Sequence, residues 1–185
     1  MTDKNLLNAL TYVDHTRQKR AELAKMVLQH PHLITSLLEQ AKKDQQPLSS
    51  RACWVLEFSL KEDLNLIYPY LDVFIDVLPK ISLEPSVRPM AKICEQLTLA
   101  YFKKKDATAW QSLQEVHLKS MATVCFDWLI GPHKVAPKAF SMTSLYHLGS
   151  LMPWIHEELK LILEREYAKG SAAYKARARV ILNRL

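Results

Sequence analysis

The sequence predicts an all-α fold, a right-handed α-α superhelix of HEAT- or armadillo-like helix pairs with about ten helices. Three observations lead there. First, a small residue, a basic residue and an apolar helical run recur at Ser50-Arg51-Ala52-Cys53-Trp54, Ser86-Val87-Arg88-Pro89-Met90, Ala136-Pro137-Lys138-Ala139-Phe140 and Ala176-Arg177-Ala178-Arg179-Val180. The marked bases Arg51, Arg88, Lys138 and Arg177 are separated by 37, 50 and 39 positions, and periods near forty in a helical pattern are the mark of stacked helix pairs. Second, only 3 glycines occur in 185 residues, too few for most all-β turns or Gly-rich phosphate loops. Third, the 9 prolines fall between apolar runs of helical period, where they punctuate rather than interrupt.

Each element follows from that pattern. Residues 3–15 place Leu6, Leu7, Leu10 and Val13 on one face, and residues 17–29 do the same with Leu23, Met26 and Val27 before Pro31 stops the helix. These two helices, within 1–30, form an N-terminal cap. Four pairs follow in a single domain over 1–185, at 31–61, 64–104, 113–151 and 153–183. Pro31, Pro47, Pro85 and Pro153 sit at or near first turns, where a missing N–H costs nothing. Gly131-Pro132 and Gly170-Ser171 separate the two helices of the last two pairs, as a glycine after a helix end does. Lys103-Lys104-Lys105-Asp106-Ala107 reads as the one longer exposed linker. An acid precedes each marked base by eleven or twelve positions, at Glu39, Asp76, Asp127 and Glu166. That spacing suggests an ion-pair ladder between neighbouring turns that fixes their register.

Charge and cysteine content narrow the function classes. The net charge of +6 is uneven: residues 1–130 carry 16 Lys and Arg against 15 Asp and Glu, and residues 131–185 carry 9 against 4. A basic end attracts anionic partners, but this excess is below that of a dedicated polybasic patch and suits a solvated capping face. Cys53, Cys94 and Cys125 are widely spaced inside apolar runs, giving neither a disulfide framework nor a Cys-x-x-Cys metal pair. Buried reduced thiols, no apolar leader core after Met1 and no apolar stretch of roughly 18 residues make a soluble cytoplasmic protein the expectation.

No constellation of catalytic or metal-binding type stands out. Of the 7 histidines, none forms a His-Glu-x-x-His pair and no two share a helix at a spacing of three or four. Cys125 and His147 fall in the same pair, but Cys125 lies among Val124, Phe126 and Leu129, the setting of an inert thiol. No Gly-x-Ser-x-Gly or phosphate loop occurs. Trp54, Trp110, Trp128 and Trp154 suit inter-helix packing, with Trp54 three positions from Arg51 and so on the same face. The sequence therefore implies no catalytic residue, no metal and no cofactor.

The runs SSRACWVLEFSLKEDLNLIYPYLD, SVRPMAKICEQL, VCFDWLI, KVAPKAFSMTSLYHLG and WIHEELKLILEREYAKGSAAYKARARVILN resemble a family of short bacterial HEAT-like repeat proteins of unassigned role. Some members carry the name adenylosuccinate lyase. That name implies a tetramer of long bundled helices and a mobile loop of Ser followed by Met-Pro-x-Lys-x-Asn. The nearest segment here is Ser141-Met142-Thr143-Ser144, with no Pro, Lys or Asn following in that pattern, so no catalytic residue carries over. A looser resemblance is to the HEAT-like DNA glycosylases that excise alkylated bases with Trp, Asp and Arg on a concave basic surface; Asp127-Trp128 would take those roles, with Arg51 or Arg88 on the phosphate.

The functional expectation is a non-enzymatic helical-repeat scaffold that holds a macromolecule, a protein, on its concave face, with Arg51, Trp54, Arg88, Lys138 and Arg177 as the partner-binding residues. Nucleic-acid binding of the glycosylase kind is the alternative, and lyase activity on adenylosuccinate is the third.

Overall fold

A computed structural model describes residues 3–185, with side chains from residue 4 onward. Eleven α-helices account for most of it, and no strand occurs among the described residues. They are α1 (Asp3–Tyr12), α2 (Arg17–Gln29), α3 (Leu33–Lys42), α4 (Leu48–Glu62), α5 (Leu71–Val77), α6 (Glu84–Thr98), α7 (Ala107–Ser112), α8 (Glu115–Ile130), α9 (Val135–Leu148), α10 (Trp154–Tyr167) and α11 (Ala172–Leu182). The described residues pack as two compact units that divide between Ile93 and Cys94, inside α6. None of the described helices is long and apolar enough to cross a membrane.

In the first unit α4 is the central helix. It packs on α1, α2 and α3, while α1 meets α3 and α3 meets α5. Nine of its fifteen residues are buried, and four of these are Ser49, Ser50, Ala52 and Cys53. Small side chains let neighbouring backbones approach from several sides at once, and the surrounding volume is filled by Leu10, Val27, Leu33, Leu37, Leu38 and Phe74, all fully buried. The hydroxyls brought inside are satisfied: Ser59 donates to the Val55 carbonyl at 2.9 Å and Ser49 to the Gln40 carbonyl at 2.7 Å. Three bonds then stitch α4 to the start of α6. Ser50 and Ser86 share a hydrogen bond at 3.0 Å, Trp54 Nε1 donates to the Pro85 carbonyl at 2.8 Å, and Arg88 pairs with Glu57 at 3.1 Å. The turn before α4 is held by Asp44, whose φ of 46° is one that Asp tolerates better than most residues. Its carboxylate accepts from the Ser82 amide at 3.0 Å and hydroxyl at 2.6 Å, pinning the turn to the start of the next hairpin.

In the second unit α9 plays the same part. It packs on α8, α10, α11 and the turn 99–104. Its buried face is again largely small and hydroxyl-bearing, with Ser141, Thr143 and Ser144 beside Met142, Leu145 and Leu148. Thr143 and Ser144 each return a hydrogen bond to the carbonyl four residues back, both at 3.1 Å. The hairpin partners supply Leu118, Met121, Cys125, Trp128, Ile155, Leu159, Leu163 and Ile181. Between α9 and α10, Gly149 leaves room for the His156 ring, which a Cβ would meet at 1.9 Å; His156 Nε2 is thereby held 2.7 Å from the Tyr146 carbonyl.

The expected helix boundaries need two corrections. Residues 64–81 do not form one helix but a 3-10 stretch over Leu64–Tyr70, α5, and a further 3-10 turn over Leu78–Lys80. Pro69 and Pro79 each remove a backbone donor that an unbroken α-helix over 64–81 would need for its i→i−4 bonds. The stretch expected as a linker, 103–107, instead belongs to a π-helical turn over Leu99–Lys104 that ends at Lys105 in the left-handed region (φ 52°). Asp106 then caps α7, accepting from the Ala109 amide at 2.8 Å, and α8 starts at Glu115 behind Gln114, whose amide donates to His117 Nδ1 at 3.2 Å.

The close approach at α4 generates a prediction. Ser50 is 3% exposed, so Ser50→Leu both breaks the Ser86 bond and overpacks the α4–α6 contact. It lowers stability by about 2–4 kcal/mol in urea unfolding, and an unchanged midpoint contradicts this packing.

Candidate functional site

The five residues expected to bind a partner divide between the two units. Arg51, Trp54 and Arg88 belong to the first. Arg51 is committed to the fold: its guanidinium donates to the Thr11 carbonyl at 2.7 Å and the Leu10 carbonyl at 3.2 Å, closing the C-terminal end of α1, where carbonyls lack helical donors and a cation suits the dipole. Trp54 and Arg88 come together with three residues not singled out in the sequence. The Arg20 guanidinium lies over Trp54 at 5.2 Å and over Phe58 at 5.1 Å, a cation–π arrangement on both rings. Glu57, 8% exposed, pairs with Arg88. Burial lowers the Arg20 pKa, and the nearby Glu57 carboxylate raises it in opposition. The result is a half-buried patch of two aromatic rings, two guanidiniums and one carboxylate, in which Arg88 pairs with Glu57 while Arg20 donates to the Thr16 carbonyl at 3.2 Å and to the His15 carbonyl. Sequence periodicity gives no hint of Arg20, because the rings it covers lie over thirty residues away.

Lys138 and Arg177 belong to the second unit, on different features. Arg177 donates to Thr143 Oγ1 at 2.9 Å and lies 3.9 Å from the buried Glu95 carboxylate. Its stem borders an open groove between α9 and α11, walled by Ala136, Ala139, Phe140, Ala173, Ala176 and Val180 and nearly all apolar, with a volume of about 590 Å³. Lys138 faces instead a cavity of about 280 Å³ where the α8–α9 and α10–α11 hairpins turn. Arg165, Glu166, Lys169, Ser171 and Tyr174 line it with Lys138. Tyr174 is 6% exposed, and its buried hydroxyl has no hydrogen-bond partner. Burial first, then Glu166, raises its pKa, with Arg165 acting the other way. The one sequence signal for this cavity is the Gly170-Ser171 turn.

The acid–base ladder takes other partners than the spacing suggested. Arg88 pairs with Glu57, Arg177 approaches Glu95, Asp76 binds Lys80 at 2.7 Å and Lys42 at 3.1 Å, and Arg165 binds Glu166 at 3.0 Å. Arg88 of α6 thus reaches an acid on α4, and Arg177 of α11 one on α6, instead of those late in their own pair. Lys80 and then Lys42 hold the Asp76 carboxyl below its ordinary value.

Burial pushes the Cys53 thiol up to about 12, and burial with Cys125 alongside holds the Cys94 thiol well above its ordinary value; both stay protonated and inert at neutral pH. Among the described residues no group of three or more His, Cys, Asp and Glu is gathered for a metal. Trp128 is 3% exposed and offers no face to a nucleobase, while its neighbour Asp127 points outward. Ser141-Met142-Thr143-Ser144 is a buried stretch of α9, not a mobile loop.

No protein-family model, no curated protein and no solved structure matches this chain.

The unpartnered Tyr174 hydroxyl carries a prediction of its own. A buried donor without an acceptor costs about 1–3 kcal/mol, so Tyr174→Phe leaves the melting temperature unchanged or raises it. A fall equivalent to more than about 1 kcal/mol means that the hydroxyl bonds within the protein.

Proposed function

We propose that the chain is a HEAT-like helical-repeat scaffold without enzymatic activity, which holds a protein partner along the α9–α11 groove of the second unit. The observation that carries this reading is the groove itself: an open, almost wholly apolar channel with a single cation, Arg177, at its edge. Exposed apolar surface of that kind marks a docking site for apolar side chains. Its shape suits an amphipathic helix laid between α9 and α11, with an acidic side chain toward Arg177. A polynucleotide would need the reverse balance, cations for its phosphates and ring faces for its bases. Stacking within each unit supports the repeat reading: α2 packs on α4 and α9 on α11, each one hairpin beyond, as stacked pairs do. In the first unit, Arg20 lies over the half-buried rings of Trp54 and Phe58.

The rival reading, nucleic-acid binding, rests on the 13 Lys and Arg against 8 Asp and Glu of Cys94–Leu185. One experiment separates the two. Affinity capture from native extract is run with the wild-type chain and with the double variant Ala176→Asp, Val180→Asp, whose positions are exposed on α11 and leave helicity by circular dichroism unchanged. The protein reading predicts a specific prey that survives nuclease treatment and falls at least roughly tenfold with the variant. Prey lost to nuclease, with capture falling steeply as salt rises, establishes the rival and overturns the proposal.

A further inference from the structure

We infer that the occupant of the α9–α11 groove is a second copy of this chain, whose α10 lays its outer face between α9 and α11. This rests on the docking proposal above and names the partner which that proposal leaves open.

The groove suits an amphipathic helix with apolar anchors and acids, and α10 is one. Its inner face is spent on the core of its own unit through Ile155, Leu159 and Leu163, all fully buried. The opposite face carries Trp154 and Leu161, 53% and 60% exposed. Seven positions apart, they project from one side of the helix two turns from each other, the anchor spacing of a helix held in a groove. Trp154 stacks on Phe126 at 5.8 Å, so its ring is already oriented while half of it faces solvent. Neither side chain is needed to close the core of its own unit.

Charge selects the pairing. α9 and α11 contain no Asp or Glu. Arg177 borders the groove, and Arg184 follows Val180 by four positions, its guanidinium lying over the Tyr146 ring of α9 at 6.0 Å. Burial, then Lys103 and Arg184, lower the His147 pKa at this same end, with Glu95 opposing them. That one acid is 4% exposed and lies 3.9 Å from Arg177, so the open surface there is cationic. α10 carries the opposite sign. Of its four glutamates, Glu166 pairs with Arg165 at 3.0 Å, while Glu157, Glu158 and Glu164 are exposed. Glu157 and Glu158 lie near the start of α10, so the incoming helix runs antiparallel to α9 and α11 and sets its N-terminus beside Arg177 and Arg184. Acids then meet guanidiniums, and the positive end of one helix dipole meets the negative ends of two others.

The two surfaces share no residue, so the contact is heterologous. Each copy offers its groove to one neighbour and its α10 to another, which builds rings or open chains.

Sedimentation velocity of the purified full chain tests this. Wild type forms dimers and larger species whose share rises with concentration. Two double variants at exposed positions break opposite sides of the contact with helicity unchanged: Ala176→Asp, Val180→Asp in the groove, and Glu158→Lys, Leu161→Lys on α10. Each alone weakens self-association at least roughly tenfold. Mixed one to one, they form a dimer and nothing larger, because one intact groove meets one intact α10. A wild type that stays monomeric at every concentration overturns the inference. So does a mixture that fails to associate, or a wild-type assembly that either variant leaves intact. The docking proposal fails separately, on prey lost to nuclease; a different protein held in the groove of a monomeric chain upholds it and overturns only the second copy as occupant.

Discussion

Burying one helix on several sides is the constraint from which the rest of each unit follows. α4 and α9 take that position, α4 against α1, α2 and α3, and α9 against α8, α10 and α11. A helix so enclosed cannot present a simple apolar stripe, because nearly every side of it faces a neighbour. It also cannot be bulky all round, because then those neighbours could not approach. α4 meets this with serine, alanine and cysteine at inward positions and α9 with serine and threonine, and the hydroxyls of Ser59, Thr143 and Ser144 return to their own helix. For these three the polar cost is removed locally, while the buried Ser141 hydroxyl of α9 has no hydrogen-bond partner.

Polar groups at the helix crossings then take structural duties. Arg51 closes α1, Glu57 binds Arg88 beside Arg20, and Arg177 is anchored on Thr143 near Glu95. Such partly buried pairs add little net stability, yet removing one member strands the other. They fix which turn of one helix meets which turn of the next. What is left over is an open, almost wholly apolar groove between α9 and α11.

Much of the helical layout was legible from apolar period and proline placement. The α2 bounds at Arg17 and Gln29, the α4 start at Leu48 and the α10 and α11 limits near Trp154 and Ala172 lie where the periodicity put them. The broken segment 64–80 was not, because apolar spacing there suits an α-helix while Pro69 and Pro79 act on the backbone hydrogen bonds. Nor was α7, hidden by a lysine run that looks like solvated chain but winds into a π turn before the left-handed Lys105. Of the candidate residues, sequence recurrence placed Arg88 and Arg177 on helices but mistook their acids. Their partners, Glu57 and Glu95, lie 31 and 82 positions away, and only the stacking of helices makes them neighbours. Tyr174 carried no signal at all, since an unpaired hydroxyl is a property of its surroundings.

Native-state amide hydrogen exchange addresses the enclosure of α4 and α9 most directly. Free energies of opening scale with how completely a helix is packed. The slowest amides of the first unit are therefore expected between Ala52 and Leu60, and those of the second between Met142 and Leu148, exchanging only on unfolding of the whole unit. If those amides open as readily as the ones in α1 or α11, neither helix is the enclosed centre of its unit, and the packing account fails.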